Sequence, residues 1–140
     1  MREITKAKIE QIRSGKLSAE QNVRNFLNEI KKCDKAIYAF LYVAEKEAVA
    51  AAKEADAKLK NGKAGKLAGL VVAVKSNINV IGMPISCASK TLADYKGTYD
   101  ADVVRKIKAE DGIIIGVTNC DEFACGISGE TSAFGRTKNP

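Results

Sequence analysis

The chain has 140 residues, 46% of them hydrophobic and 29% charged, which suits one ordinary soluble domain with a core of its own. A net charge of +6 with only 6% aromatic residues shows no stacking platform for nucleic acid, and no apolar run approaches the ~20 residues of a membrane span. Histidine is absent, which removes Ser-His-Asp and Cys-His nucleophilic arrangements and histidine-ligated metal sites; proton transfer near neutral pH would fall to lysine, a carboxylate, tyrosine or cysteine.

Early charges at Arg2 and Glu3 argue against a signal peptide. Ile4, Ile9 and Ile12 predict a short amphipathic helix, with Thr5 as its cap and Gly15 closing it. Ser18-Ala19-Glu20-Gln21 reads as a capping box, Ser18 capping an early amide and Gln21 reaching back. Val23, Phe26, Leu27 and Ile30 follow at helical spacing, and this second helix is predicted to stop near Cys33-Asp34. Residues 36–43 are β-prone. A third helix is predicted over residues 44–60, with a thin stripe of Ala48, Ala51, Ala52, Ala55 and Leu59 and an end at Asn61-Gly62. Lys58, Lys60, Lys63 and Lys66 make a basic stretch around Gly62 and Gly65; it reads as a solvated face, with at most weak electrostatic affinity for RNA.

Leu70-Val71-Val72-Ala73-Val74 then runs straight into Lys75. Such a run reads as a strand buried on both faces in a parallel sheet. A lysine at its end either reaches into water or sits at the rim of a cleft, where burial would lower its pKa and free the amine to accept a proton. Gly82-Met83-Pro84 signals a turn, and residues 86–98 a loop with a helical turn in it. A helix is predicted over residues 100–111, with Asp100 as its cap, Asp102 in its first turn, and Val103, Val104 and Ile107 facing the core. Residues 113–117 form a second buried strand, and strand–helix–strand in this order implies a right-handed crossover and a parallel pair.

Residues 118–135 follow the carboxyl end of that strand, where open α/β sheets bind ligands. Glycines and hydroxyls there suit a loop whose amides approach a substrate, which makes Gly126 and Ser128 candidate substrate-binding residues. Cys33, Cys87, Cys120 and Cys125 form no C-x-x-C; they read as reduced thiols of a cytosolic protein, packed in the core or between helices, and no metal ligand set is predicted.

Four pieces, in order and at matching spacing, carry a resemblance. They are residues 67–77, residues 99–104, Gly116-Val117-Thr118-Asn119-Cys120-Asp121-Glu122-Phe123, and residues 130–140. Together they resemble the amidase signature family over about residues 18 to 140, and within it the A subunits of tRNA-dependent amidotransferases. The implied fold is α/β: an N-terminal helical region over 1–66, then over 67–140 the first part of a mixed, largely parallel sheet covered by helices. Family members use a Ser–cis-Ser–Lys triad, and Lys75 matches its lysine. The two serines lie in a Gly-Ser-rich region beyond the Asn-Pro, so the chain reads as the front part of a longer protein. It departs from the family at Ser76, usually aspartate, at Val71-Val72, usually Ile-Pro, and at Val117, usually lysine.

The resemblance implies a cytoplasmic enzyme that releases ammonia from glutamine to convert Glu-tRNA(Gln) to Gln-tRNA(Gln). It implies B and C subunits as partners, misacylated tRNA reached through the complex, ATP and Mg used by the B subunit, no cofactor on this chain and no membrane. Another small-amide hydrolase of the family, or an inactive segment that only packs against partners, are the competing readings.

Overall fold

The computed structural model describes residues 2–140. Helix α1 (Arg2–Arg13) and helix α2 (Ala19–Ile37) lead into strand β1 (Phe40–Val43), followed by helix α3 (Glu45–Lys60). Strand β2 (Val71–Lys75), helix α4 (Asp102–Ala109) and strand β3 (Ile113–Thr118) complete the regular elements, with short 3-10 turns at Lys90–Leu92 and Glu122–Ala124. Among the described residues no helix is long and apolar enough to cross a membrane.

The sheet is three-stranded and mixed, in the order β1-β3-β2. β2 and β3 run parallel with α4 between them in sequence, as the strand–helix–strand pattern predicts. β1 joins antiparallel on the other side of β3. β3 is therefore the centre, and its first five residues are all buried. Ile113 and Ile115 pack with Ile12, Val23, Leu27 and the alanines of α3 on one face. Ile114 and Val117 pack with Val74, Val80, Met83, Ile85 and Val104 on the other. Ile114 and Val117 share a face although they are three apart, because a register shift between Val72 and Ala73 of β2 leaves Ile115 as an extra residue in β3. Each of the valine, leucine, isoleucine and methionine side chains among them contributes about 1.5–3 kcal/mol by leaving water.

Gly116 fixes how closely β1 can approach. A Cβ there would lie well inside van der Waals contact with the Tyr42 carbonyl oxygen and 3.2 Å from Val43 Cα.

Several sequence expectations are corrected. β2 is an edge strand: Val74 is buried, but Ala73 and Lys75 are exposed, so the run is not buried on both faces. The helices that cover Val71 do not extend over Ala73 and Lys75 on the same face. Thr5 does not cap α1, which is already helical at Arg2. Ile4 is exposed, and it is Ile12, near the end of α1, that joins the core. α2 runs past Asp34 to Ile37, because Tyr38 closes it in a left-handed conformation while the Asp34 carboxylate accepts from the Ala39 and Phe40 amides. The Ser18 hydroxyl does cap Gln21 N–H at 3.0 Å, but the Gln21 side chain donates to Asn25. Asp56 of α3 takes the Ala19 and Glu20 amides at 2.7 and 3.1 Å, doing across the fold what the box does locally.

Asp100 is not the cap of α4. That position is Ala101, and the Asp100 carboxylate instead accepts from Ile81 N–H and the Lys108 ammonium. Phe26 and Val103 are exposed, and buried Asn22 takes an interior place, its amide donating to Gly69 O at 3.0 Å. Of the cysteines only Cys120 is buried; Cys33 and Cys125 are exposed.

Candidate active site at the carboxyl end of the sheet

Because β2 and β3 are parallel, both carboxyl ends reach the same rim, and Lys75 pairs in register with Thr118 there. The two long loops, 76–101 and 119–140, both leave from this rim. Lys75 is exposed, and among the described residues no carboxylate pairs with its ammonium.

The next residue anchors it. Ser76 is fully buried. Its N–H donates to Thr118 O at 3.1 Å, its C=O accepts from Cys87 N–H at 3.1 Å, and its hydroxyl lies 3.2 Å from the Cys120 thiol. A buried polar residue with every group engaged holds the strand end in one place. Burial pushes the Cys87 thiol up, with nearby Cys120 adding to the shift.

The loops are locked to each other by left-handed backbone. Cys87 and Ala88 have φ of 50° and 54°, and Phe123 and Ala124 have 53° and 60°. Non-glycine residues there cost roughly 1–2 kcal/mol each. The strain turns amides and carbonyls toward one another: Phe123 N–H donates to Cys87 O at 2.8 Å and Ala133 N–H to Ala88 O at 2.9 Å. Such strain accumulates where backbone groups are positioned for a purpose.

Asp121 organises the second loop. It is 5% exposed, and its carboxylate accepts from Gly129 N–H at 2.9 Å, Thr131 N–H at 3.1 Å and the Thr131 hydroxyl at 2.8 Å. The Gly129 and Thr131 amides, then the Thr131 hydroxyl, hold its carboxyl below the usual carboxylate range, with the Ser128 amide adding to this. A Cβ on Gly126 would sit 2.6 Å from Asp121 Cγ, so only glycine fits over this carboxylate. Asn119 laces the rest: its Oδ1 accepts from Ser132 at 2.7 Å, and its Nδ2 donates to Gly135 O at 2.8 Å and Tyr38 O at 3.2 Å.

Lys75 and the exposed Gly126 and Ser128 thus stand on one rim, connected through Ser76, Cys87 and Phe123 rather than directly. Among the described residues no hydrogen bond joins Lys75 to Gly126 or Ser128. Sequence reasoning missed Asp121 and Asn119. Their signal was present: side chains that bond local amides, placed between a strand and a glycine- and hydroxyl-rich loop. Among the described residues no group of three or more cysteines or carboxylates is placed to hold a metal.

The Amidase family model matches residues 21–140. The chain belongs to the amidase family. The A subunit of the glutamyl-tRNA(Gln) amidotransferase of Methanothermobacter thermautotrophicus is 54% identical over 134 residues, which is 95% of this chain and 30% of that protein. Among solved structures, a chain from a vestigial protein complex bearing on the origins of an s-triazine catabolic enzyme superposes with a TM-score of 0.92. It is 33% identical, over 97% of this chain and 30% of that one. The A subunit of the glutamyl-tRNA(Gln) amidotransferase of Thermotoga maritima superposes with a TM-score of 0.71 at 37% identity, over 86% of this chain and 24% of that one. This amidase chain spans about 30% of the length of the curated relatives it matches. Its α/β architecture is that of the family, with β2 carrying Lys75 to the rim of the sheet.

Proposed function

We propose that this chain is the N-terminal part of the glutamine-hydrolysing A subunit of a tRNA-dependent amidotransferase, and that Lys75 is its proton acceptor. One observation carries the reading: Lys75 ends an edge strand at the carboxyl rim, with its side chain uncovered and its backbone held by buried Ser76. The uncovered face is where further chain, with the two serines, has room to complete a Ser–cis-Ser–Lys arrangement.

In that arrangement a serine oxygen bonds to the amide carbon of glutamine. Its proton passes through the cis-serine to the Lys75 amine. The C–N bond breaks, ammonia leaves with a returned proton, and water releases glutamate from the acyl-serine. No imidazole is needed, in keeping with a chain that has no histidine. Gly126 and Ser128 lie on the Asp121-organised loop facing the same rim, and we assign them to substrate binding through amides and hydroxyl. The assembly includes B and C subunits and works in the cytoplasm. It delivers the ammonia to misacylated tRNA, with ATP and Mg handled by the B subunit.

A second reading, a hydrolase of other small amides, is favoured by a backbone superposition on a peptide amidase with a TM-score of 0.86, above that on the Thermotoga maritima A subunit. Fold likeness is the weaker guide to substrate, and the higher sequence identity lies with the amidotransferase A subunits. The full-length protein with its partner subunits decides between them. Ammonia release from glutamine well above that from peptide amides and simple alkyl amides supports the first reading; the reverse order removes it.

A further inference from the structure

The opposite end of the sheet carries a second surface. Arg13 at the end of α1, Lys16 in the turn after it, Lys60 at the end of α3, and Lys63 and Lys66 in the connection to β2 are all exposed. Two contacts and a shared cleft bring these segments together. The Arg13 guanidinium donates to Gly65 O at 3.3 Å, between Lys63 and Lys66. Lys63 N–H donates to Lys58 O at 2.9 Å. Arg13, Ser14, Gly15, Ser18 and Lys60, with Asp56 among them, line one cleft of about 370 Å³.

Three carboxylates of this region accept hydrogen bonds away from these cations' side chains. Asp56 accepts the Ala19 and Glu20 amides. Asp111 takes Lys58 at 2.5 Å and Gly65 N–H at 2.7 Å, and Glu110 accepts Lys66 N–H at 2.7 Å. Glu10 lies nearby on α1 and pairs with none of these cations. Among the described residues Arg13, Lys16, Lys60, Lys63 and Lys66 form no ion pair, although neighbouring Lys58 pairs with Asp111 and seven further ion pairs exist elsewhere in the fold.

We infer that this basic rim docks the phosphate backbone of an RNA, the body of the tRNA in the proposed function on which this inference rests. Five unpaired cations converging from three segments complement a phosphodiester chain, which supplies a charge at every step. The rim has no exposed large apolar residue, so it lacks the anchor that a membrane-surface segment uses. It has no exposed aromatic side chain either, so it reads backbone rather than bases. β2 separates it from Lys75, which places RNA docking and amide chemistry at opposite ends of one strand.

The test uses the full-length protein in its assembly and a fluorescent tRNA transcript, titrated from low to moderate salt. Lys60→Glu/Lys63→Glu is expected to weaken binding about tenfold or more at ~0.1 M salt and to reduce the salt slope by about 2. The neutral pair Lys60→Gln/Lys63→Gln should move both in the same direction, with circular dichroism confirming the fold. Lys46→Glu/Lys53→Glu, the same charge change earlier on α3 and beside Arg24 rather than the cleft, should leave binding near wild type. Equal loss from that control, unchanged affinity and slope in the rim variants, or binding of the wild-type rim to phosphatidylserine vesicles but not to RNA, each overturns the inference. Wild-type protein that binds RNA through the rim but releases no ammonia from glutamine would remove the proposed function and leave this surface standing.

Discussion

Replacing Gly116 with alanine tests how the sheet is assembled. Gly116 is not in the left-handed region, so alanine is conformationally acceptable there and by itself would stabilise by about 0.5–1 kcal/mol through the unfolded chain. The obstacle is contact. The new methyl would overlap the Tyr42 carbonyl oxygen, approach Phe40 Cδ1 at 3.2 Å and meet Val43 Cα at 3.2 Å. Tyr42 would have to retreat by about an ångström, opening the β1–β3 ladder at Tyr42↔Val117 and Val43↔Gly116. Overpacking of this kind costs about 1–3 kcal/mol, and each ladder hydrogen bond lost adds about 0.5–1.5 kcal/mol. The expected net loss is about 2–4 kcal/mol, a large part of the ~5–15 kcal/mol that holds a domain together. Gly62→Ala is the control: its φ of +67° is unfavourable for alanine, but nothing lies within 4 Å of the new methyl. It should cost only about 1–2 kcal/mol. Urea unfolding of the two variants, followed by circular dichroism, compares them. Gly116→Ala as stable as Gly62→Ala, or as wild type, would refute the close-approach reasoning.

Two further outcomes are expected from the carboxylates. Burial opposes ionisation of Asp111, but the Lys58 ammonium and the Gly65 amide outweigh it and hold the carboxyl below its ordinary value. Its folded pKa is thus depressed, so its contribution is fully present above the unfolded value near ~3.9 and is lost as pH falls through the folded one. Asp111→Asn tolerates the same left-handed backbone; acid titration should show a shallower loss of stability below about pH 4, and an unchanged slope would count against the assignment. Asp121→Ala should speed hydrogen exchange at the Gly129 and Thr131 amides about tenfold while leaving β3 protected. Unchanged protection there would mean that the loop is held by something other than this carboxylate.

Much of the fold is legible in the sequence because it rests on local periodicity. The helical spacing from Val23, the alanine-rich composition of α3, and the two apolar runs separated by one helix all appear where their residue patterns put them. What was not legible depends on partners distant in the chain. The extra turn of α2 depends on Asp34 turning back onto residues 39 and 40. The cap of α2 is completed by Asp56, 37 residues away from Ala19. β2 has the composition of a doubly covered strand, yet here it is an edge, since covering a strand is decided by what packs beside it. At the rim, Lys75 stood out because a lysine ends an apolar run. Ser76 and Asp121 did not, because their importance comes from burial and hydrogen bonds across the loops.

The most direct measurement is glutamine hydrolysis by the full-length protein, assembled with its partners, carrying Lys75→Ala or Lys75→Arg. Loss of the proton acceptor should lower turnover by about 10²–10⁴-fold, and more if lysine and the serines act as a unit. Arginine should not rescue, because it stays protonated at neutral pH. Circular dichroism of both variants checks that each folds as wild type does. If either variant folds normally and keeps near-wild-type turnover, Lys75 is only a solvated lysine at the end of β2 and takes no part in the chemistry.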